Sequence, residues 1–229
     1  MHAVVVADGT PPPTRSGLDA AWPGWADGVE LVVAADGGAR ACARLGLPID
    51  LAIGDFDSLG PDGLADLVGR GVPIERHPTD KDETDTELAV RAAVARGASR
   101  LTILGAFGGP RLDHELANVA LLGLPELAGR DARLLDPRAM VRLVTAPDAA
   151  GSPVRLGLPG PVGALVSLLP AGGDATGVTT DGLRFALADE VLPSGPARGL
   201  SNVRAAADAS LVLRAGRLLV VELPARLPS

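Results

Sequence analysis

Short apolar runs alternate with helix-compatible stretches through residues 1–145, and most of the runs end in an acidic or glycine-rich segment. The pattern predicts strands at His2–Ala7, Leu31–Ala35, Leu51–Ile53, Val72–Arg76 and Arg100–Leu104. Most of these are continuously apolar rather than alternating, as strands covered on both faces are. Helices fall between them at Ala39–Leu45, Pro61–Arg70, Asp82–Arg96 and Leu112–Leu122, with Gly46, Gly71 and Gly97 as stop signals. Asp8-Gly9 ends the first run and Thr10-Pro11-Pro12-Pro13 reads as a loop. Two more strand-like runs follow, Ala132–Leu135 and Met140–Thr145. Strands and helices in this alternation imply a parallel sheet with helices on both faces. The acidic and glycine-rich segments then gather along one edge of it.

The pattern changes after Thr145. Ala146–Pro153 is rich in Pro, Ala, Gly and Asp and reads as a linker, so the chain divides into domains at 1–147 and 153–229. Beyond it no helix is predicted. Val162–Leu169, Leu183–Leu187, Ser210–Arg214 and Leu218–Leu223 are short strand-like runs, and Ala215-Gly216-Arg217 is a hairpin connection. The predicted architecture is an N-terminal α/β domain with a parallel sheet, followed by a small antiparallel β-sandwich. At roughly 75 residues that second domain has little core of its own and is expected to pack on something.

Composition narrows the function. The 229 residues are 47% hydrophobic, enough for a core, but only 2% aromatic, with no Tyr. Leu, Val and Ala must therefore fill the interior. A net charge of −7 without a basic stripe argues against a nucleic-acid partner. An acidic protein can still bind a polyphosphate where metal ions and a few basic side chains reverse the local field. The single cysteine, Cys42, has no internal disulfide partner and suits a reducing, cytoplasmic setting. Met1–Val6 lacks a basic flank and is expected to be a strand rather than a signal peptide, and no run is long enough to span a membrane.

The strongest chemical signal is Ile53-Gly54-Asp55-Phe56-Asp57-Ser58, where a buried strand runs into two aspartates. If the chain is still extended there, Asp55 and Asp57 share a face at the carboxyl end of a strand, where open α/β sheets bind ligands. Two close carboxylates repel unless a cation lies between them; a solvated turn is the other reading. Asp36-Gly37-Gly38 follows a strand and opens a helix, offering amides to an anion and Asp36 to a metal, or simply a helix cap. In Lys81-Asp82-Glu83-Thr84-Asp85, Asp82 and Asp85 are expected on one helix face, where the macrodipole also favours acids. The last segment, Gly105 to His114, combines glycines with Arg111, whose planar fork suits phosphate, and with Asp113-His114, which also fits a helix cap. Mg²⁺ takes one or two carboxylates and fills its shell with water and phosphate oxygens. The residues therefore fit a Mg-nucleotide transferase better than a hydrolytic triad, and they leave the acceptor unnamed.

The ordered set Asp36-Gly37-Gly38, Gly54-Asp55-Phe56-Asp57-Ser58, Lys81-Asp82-Glu83-Thr84-Asp85 and Gly108-Gly109…Arg111-Leu112-Asp113-His114-Glu115-Leu116-Ala117-Asn118 resembles the thiamine pyrophosphokinase family. Thr176-Gly177-Val178-Thr179, Gly182-Leu183 and Gly199-Leu200-Ser201-Asn202 are similar to its C-terminal part. The resemblance implies a homodimer with active sites where the two kinds of domain meet. It also implies attack of the thiamine hydroxyl on the β-phosphorus of Mg-ATP, giving thiamine diphosphate and AMP. On this resemblance Asp36, Asp55, Asp57 and Asp82 hold Mg²⁺, and Asp55, Asp57, Asp82, Asp85, Arg111 and Asp113 form the catalytic set. Gly37, Gly38, Ser58, Lys81, Thr84, Gly108, Gly109, Arg111, His114 and Asn118 face the nucleotide, while Ser201 and Asn202 lie near the thiamine pyrimidine. Two features depart from the pattern: Pro110 separates the glycine pair from Arg111, and Phe185 is the one aromatic of the C-terminal domain. A same-fold enzyme acting on another hydroxymethyl heterocycle, such as a pterin, and a non-catalytic nucleotide- or thiamine-binding regulator are the alternatives.

Overall fold

The computed structural model describes residues 1–10 and 14–224, so the 11–13 part of the predicted proline loop lies outside the described residues. The chain forms two compact units, Met1–Asp136 and Pro137–Ser229. In the first, strands β1 (His2–Val6), β2 (Val29–Ala35), β3 (Leu51–Gly54), β4 (Ile74–Arg76), β5 (Arg100–Leu104) and β6 (Asp131–Asp136) form a parallel sheet in the order β6-β5-β1-β2-β3-β4. Helices α1 (Arg15–Ala21), α2 (Gly38–Leu45), α3 (Gly60–Gly69), α4 (Asp85–Ala95) and α5 (Leu112–Leu121) connect them, with a short 3₁₀ turn at Pro125–Leu127. Ala3, Val4, Val5 and Val6 of the central strand are fully buried, which is why that run is apolar without alternation.

The order of strands locates the site. From β1 the chain moves one way through β2, β3 and β4, then returns to place β5 on the other side of β1. The strand order therefore reverses between β1 and β5, a place where open α/β sheets bind ligands at the carboxyl ends. Backbone is close-packed there. The Gly9 amide donates to the Gly105 carbonyl at 2.9 Å and the Thr10 amide to the Phe107 carbonyl at 2.8 Å. A Cβ on Gly9 would come within 2.3 Å of the Gly105 oxygen, so only glycine permits this approach.

Helix α4 begins at Asp85, not at Asp82 as the acidic run predicts. Thr84 is its N-cap, its hydroxyl accepting from the Glu87 amide at 3.1 Å. The spacing Thr84…Glu87 is that of a capping box, a signal the acidic run obscures. Asp82 thus precedes the helix and shares no face with Asp85. Helix α1 was not predicted: Arg15–Ala21 is a short segment containing a glycine, and its hydrogen-bonded start comes from Thr14, which accepts from the Gly17 amide at 3.1 Å.

The second unit is a sandwich of two antiparallel sheets built from β7 (Ala139–Ala146), β8 (Val154–Pro159), β9 (Leu165–Pro170), β10 (Ala175–Asp181), β11 (Glu190–Leu192), β12 (Asn202–Val203), β13 (Asp208–Leu213) and β14 (Gly216–Glu222). One sheet runs β12-β9-β14-β7 and the other β11-β10-β13-β8. Leu168, Leu218 and Val220 from the first meet Leu158, Val178, Leu211 and Leu213 from the second in one core. The division between units falls before β7, ahead of the Pro/Gly-rich stretch at 146–153, because Ala139–Ala146 pairs along its length with Gly216–Glu222. The predicted strand at Leu183–Leu187 is instead irregular, with one bridge from Leu183 to Arg204. Strands β8 and β10 had no strong apolar signal, since Gly157, Gly177 and three threonines interrupt them.

Candidate active site

Three aspartates from two adjacent strand ends converge. One carboxylate oxygen from each of Asp36, Asp55 and Asp57 lies within 4.8 Å of the other two. The way Asp55 and Asp57 come together differs from the extended-strand expectation. Strand β3 stops at Gly54, and Phe56 takes a left-handed backbone conformation at φ 65° with its ring buried. The Asp57 amide then donates to Asp55 Oδ1 at 3.1 Å, so a tight turn rather than strand alternation pairs the two carboxylates. Asp36 is also left-handed, at φ 43°. Two non-glycine residues with such backbones side by side mark a site whose surroundings hold strain in place.

Asp36 is buried and does not cap α2, whose N-cap Gly37 has no side-chain partner. Its oxygens instead accept from the Ser58 amide at 3.1 Å and the Leu59 amide at 2.9 Å, tying the end of β2 to the turn after β3. Burial raises the Asp36 carboxyl above the ordinary carboxylate value, against the pull of the Leu59 and Ser58 amides, and the neighbouring Asp57 adds to the rise. Lys81 bridges two other carboxylates, with Nζ 3.5 Å from Asp55 and 3.0 Å from Asp85. Burial alone would raise Asp55, yet the Asp57 amide and Lys81 outweigh it and its carboxyl is held below the ordinary value. Lys81 shows the mirror image: burial opposes its charge, and Asp85 with Asp55 more than compensates.

The set fits a divalent cation. Four carboxylates, Asp36, Asp55, Asp57 and Asp85, face one ammonium, an imbalance that a bound cation relieves. Asp85 Oδ1 is buried and has no hydrogen-bond partner among the described residues; its contact with Lys81 is an ion pair without hydrogen-bonding geometry. Gly54 packs against both Asp85 and Asp36, a Cβ there falling 3.1 Å from the Asp85 carboxylate. Asp82, by contrast, is exposed and outside the convergent group.

The remaining predicted residues divide into those facing open space and those already engaged. Gly38 packs so closely on β1 that a Cβ would sit 2.0 Å from the Val6 carbonyl, and the Asp8 carboxylate occupies the equivalent space over Gly37. Both glycines therefore have a packing reason to be glycine. Gly108 and Gly109 have positive φ in the loop after β5, with Gly108 against Thr10. Asn118 spends its Nδ2 on the Ala106 carbonyl at 2.9 Å, pinning that loop from inside α5. Arg111 and Asp113 form a two-pronged pair, Nε to Oδ1 at 2.8 Å and Nη2 to Oδ2 at 2.5 Å, both exposed. That bond takes the Asp113 carboxyl down to about 2. His114 is exposed on the first turn of α5. In the second unit Ser201 is exposed at φ 58°, its amide donating to Ser167 Oγ at 3.0 Å. Asn202 is buried and turned on Phe185, accepting from its amide at 3.0 Å and donating to its carbonyl at 2.7 Å.

Sequence reasoning missed Asp8 and Arg40. Asp8 follows the first strand as Asp36 follows the second, so its position at a strand end was the available signal. Arg40 Nη2 donates to the carbonyls of Ser58 at 2.6 Å and Leu59 at 2.9 Å, bracing the same turn.

Comparison with known proteins agrees with this anatomy. Residues 25–128 match the model of the thiamin pyrophosphokinase catalytic domain and residues 158–217 that of the thiamin pyrophosphokinase vitamin B1 binding domain. The fold is that of thiamine pyrophosphokinase from Bacillus subtilis, at 22% identity and a TM-score of 0.81 over 98% of this chain and 99% of that one. A thiamin pyrophosphokinase family protein from Enterococcus faecalis is 25% identical, with a TM-score of 0.77 over 99% and 100% of the two chains. The yeast thiamin pyrophosphokinase superposes with a TM-score of 0.74 at 15% identity, covering 97% of this chain and 86% of that one. No curated protein sequence matches the chain. The two matched domains, one falling within the α/β unit with its carboxylate-lined strand edge and one within the all-β unit, mark a two-domain transferase of the kinase type. The chain belongs to the thiamin pyrophosphokinase family, and is an enzyme of thiamine diphosphate synthesis; neither the pterin-directed enzyme nor the non-catalytic regulator is favoured.

Proposed function

We propose that the donor is ATP and that Asp36, Asp55 and Asp57, supported by Asp85, hold Mg²⁺ against its phosphates. The observation that carries this reading is the convergence of three carboxylates at the carboxyl ends of β2 and β3, beside a buried Asp85 oxygen that is ion-paired to Lys81 but accepts no hydrogen bond. Bound Mg²⁺ supplies neutralisation of phosphate charge. Lys81 adds a fixed positive charge within the cluster, and Arg111 offers a fork to phosphate once Asp113 releases it. Gly109, where a Cβ would meet only the Gly9 Cα at 4.0 Å, leaves its backbone open to a polyphosphate. Asp82, exposed and ahead of the helix, approaches only if its loop folds inward on the ligand.

The acceptor is the thiamine hydroxyl. Its oxygen forms a bond to the β-phosphorus, the bond from that phosphorus to the α,β-bridging oxygen breaks, and AMP leaves with the bridging oxygen while the hydroxyl proton is released. Ser201, with its strained backbone and exposed side chain, is the polar group offered to the pyrimidine. Asn202 shapes that site indirectly by holding Phe185. Phe185 and Leu200 expose 60% and 53% of their surface, an apolar face that a second copy of the chain would cover in a homodimer. A cytoplasmic location accords with the single, deeply buried cysteine, whose thiol burial pushes up to about 12. No helix among the described residues is long and apolar enough to cross a membrane.

The test is product analysis with ATP, Mg²⁺ and thiamine. Equal amounts of AMP and thiamine diphosphate are expected; ADP with thiamine monophosphate would refute transfer from the β-phosphorus.

A further inference from the structure

The loop between β4 and α4 carries Lys81, yet its own backbone does little to hold it. Among the described residues, no amide or carbonyl from Thr79 to Glu83 bonds to another main-chain group. The loop is fixed at its ends, where the His77 amide donates to the Gly54 carbonyl at 2.9 Å and Thr84 caps α4. Between those ends side chains take over. Lys81 pairs with Asp55 and Asp85, its Nζ also donating to the Pro78 carbonyl at 3.0 Å. Glu83, two residues on, accepts from Arg91 Nη1 at 3.2 Å. The same guanidinium pairs through Nη2 with Glu87 at 2.9 Å. Through Nε it meets Glu126 of the 3₁₀ turn at 3.3 Å, an ion pair without hydrogen-bonding geometry. A planar fork with a carboxylate at each nitrogen is a directional anchor. Glu87 and Glu126 belong to helical elements and Glu83 to the loop, so the loop is what Arg91 ties down.

We propose that Arg91 is a positioning residue: by gripping Glu83 it sets the loop so that Lys81 is held at Asp55 and Asp85, ready for the nucleotide phosphates. This rests on the reading that Lys81 faces those phosphates. A flexible ammonium that must be ordered at the moment of binding loses affinity, and a loop fixed beforehand removes that cost. The pairs around Arg91 are partly exposed, so they weigh little in folding and their effect appears in binding.

The probe is the α,β-methylene analogue of ATP with Mg²⁺, titrated into the full chain and followed by calorimetry. Lys81→Ala is expected to weaken its binding by roughly 10- to 100-fold. Glu83→Ala frees the loop and leaves Arg91 its two other partners. It should weaken binding by roughly 3- to 10-fold, a part of what losing Lys81 costs, and Arg91→Ala should do the same. The sign separates positioning from the field of the charges: removing the negative Glu83 would by Coulomb attraction alone tighten the hold on a polyphosphate. Glu83→Gln keeps an acceptor oxygen for Arg91 and should recover most of the affinity. Added to Lys81→Ala, Glu83→Ala should cause no further loss, because the tether acts through the lysine. A Glu83→Ala chain that binds the analogue as tightly as the unaltered one, or more tightly, would overturn the proposal, as would a further loss in the double variant. Lys81→Ala is the control for the reading underneath. If it binds normally, that reading fails and takes the proposal with it; if it alone is weakened, only the role of Arg91 falls.

Discussion

Each unit contains a cluster of charge, and the two are built on opposite terms. In the first, Asp36, Asp55, Asp57 and Asp85 gather around one lysine, which pairs with Asp55 and Asp85; Asp36 itself and the neighbouring Phe56 have left-handed backbones, and one buried carboxylate oxygen has no hydrogen-bond partner. In the second, Glu222 is fully buried between Arg142 and Arg204, which take one carboxylate oxygen each. Arg204 donates a further bond to the Leu158 carbonyl at 3.0 Å and Arg142 one to the Gly157 carbonyl at 3.2 Å. Burial lowers the Arg204 guanidinium, and Glu222 restores part of that. The second cluster also has a buried atom without a hydrogen-bond partner, Arg142 Nε, but both oxygens of its one carboxylate are taken by guanidinium groups, and it cross-links β14, β7 and the end of β8. The first lacks counter-charge and is complete only with something bound. Carboxylates gathered on strained backbone mark function; a lone carboxylate enclosed by guanidinium groups marks architecture.

Substitution in the two clusters should therefore have opposite signatures. Asp55→Asn removes one repelling carboxylate from the first, so the metal-free melting temperature should hold or rise slightly. Turnover should fall by roughly 10²-fold or more, since the lost interaction stabilises charge on the transferring group. A variant that melts early yet turns over normally would make this cluster architectural after all. Glu222→Ala should do the reverse. Leaving two arginines uncompensated in the interior costs about 3–5 kcal/mol, read as a lower denaturation midpoint. Turnover per folded molecule should be unchanged, and an equal loss of activity would bring the triad into the chemistry.

A smaller effect separates buried charge from buried neutrality. His2 is buried at the start of the central strand, with Nδ1 3.1 Å from the Asp27 carbonyl and Nε2 3.0 Å from Thr102 Oγ1, which Arg133 Nε also reaches at 3.0 Å. In the neutral ring with Nδ1–H donating to the Asp27 carbonyl, Nε2 accepts from the Thr102 hydroxyl. Burial lowers the ring below its ordinary value of 6.5, with Arg133 and Arg100 adding to the effect and the Asp27 carbonyl opposing it. The unfolded chain then binds the proton first as pH falls. Stability contributed by His2 is complete above pH 6.5 and is lost progressively below it. Melting curves from pH 7.5 to 5 should decline more steeply in the unaltered chain than in His2→Gln. Parallel declines would show that His2 is not the group responsible.

The fold was legible wherever burial on both faces left continuous apolar runs, as in Ala3–Val6 and Leu31–Ala35, and wherever glycine closed a helix. The second unit was harder because its strands pack one face only and are broken by Gly157, Gly177 and threonines, which lowers the apolar signal along β8 and β10. At the site, residue type and order pointed to the acidic motifs, but local backbone could not be read in advance. The turn at Phe56, which brings Asp55 to Asp57, depends on a left-handed residue that is not glycine. The engagement of Asn118 with Ala106 and of Asn202 with Phe185 depends on contacts between segments distant in sequence. Asp8 was hidden for the same reason, since its carboxylate rests over Gly37, on a segment distant in sequence.

Thr84 offers the finest cut through the comparison, because it lies between the acidic cluster and an ordinary helix start. The family resemblance turns it toward the nucleotide, whereas in the structure its hydroxyl accepts from the Glu87 amide and closes the first turn of α4. A cap of this kind contributes about 1 kcal/mol. Thr84→Ala should lower stability by about that amount and leave the KM for ATP nearly unchanged, because a hydroxyl committed to the cap is not offered to a phosphate. Thr84→Ser keeps the cap oxygen and should restore the stability. A nucleotide contact gives the other pattern: KM rising in Thr84→Ala with little change in melting. The outcome decides whether the acidic cluster ends at Asp85, with architecture beginning one residue before it, or reaches into the cap itself.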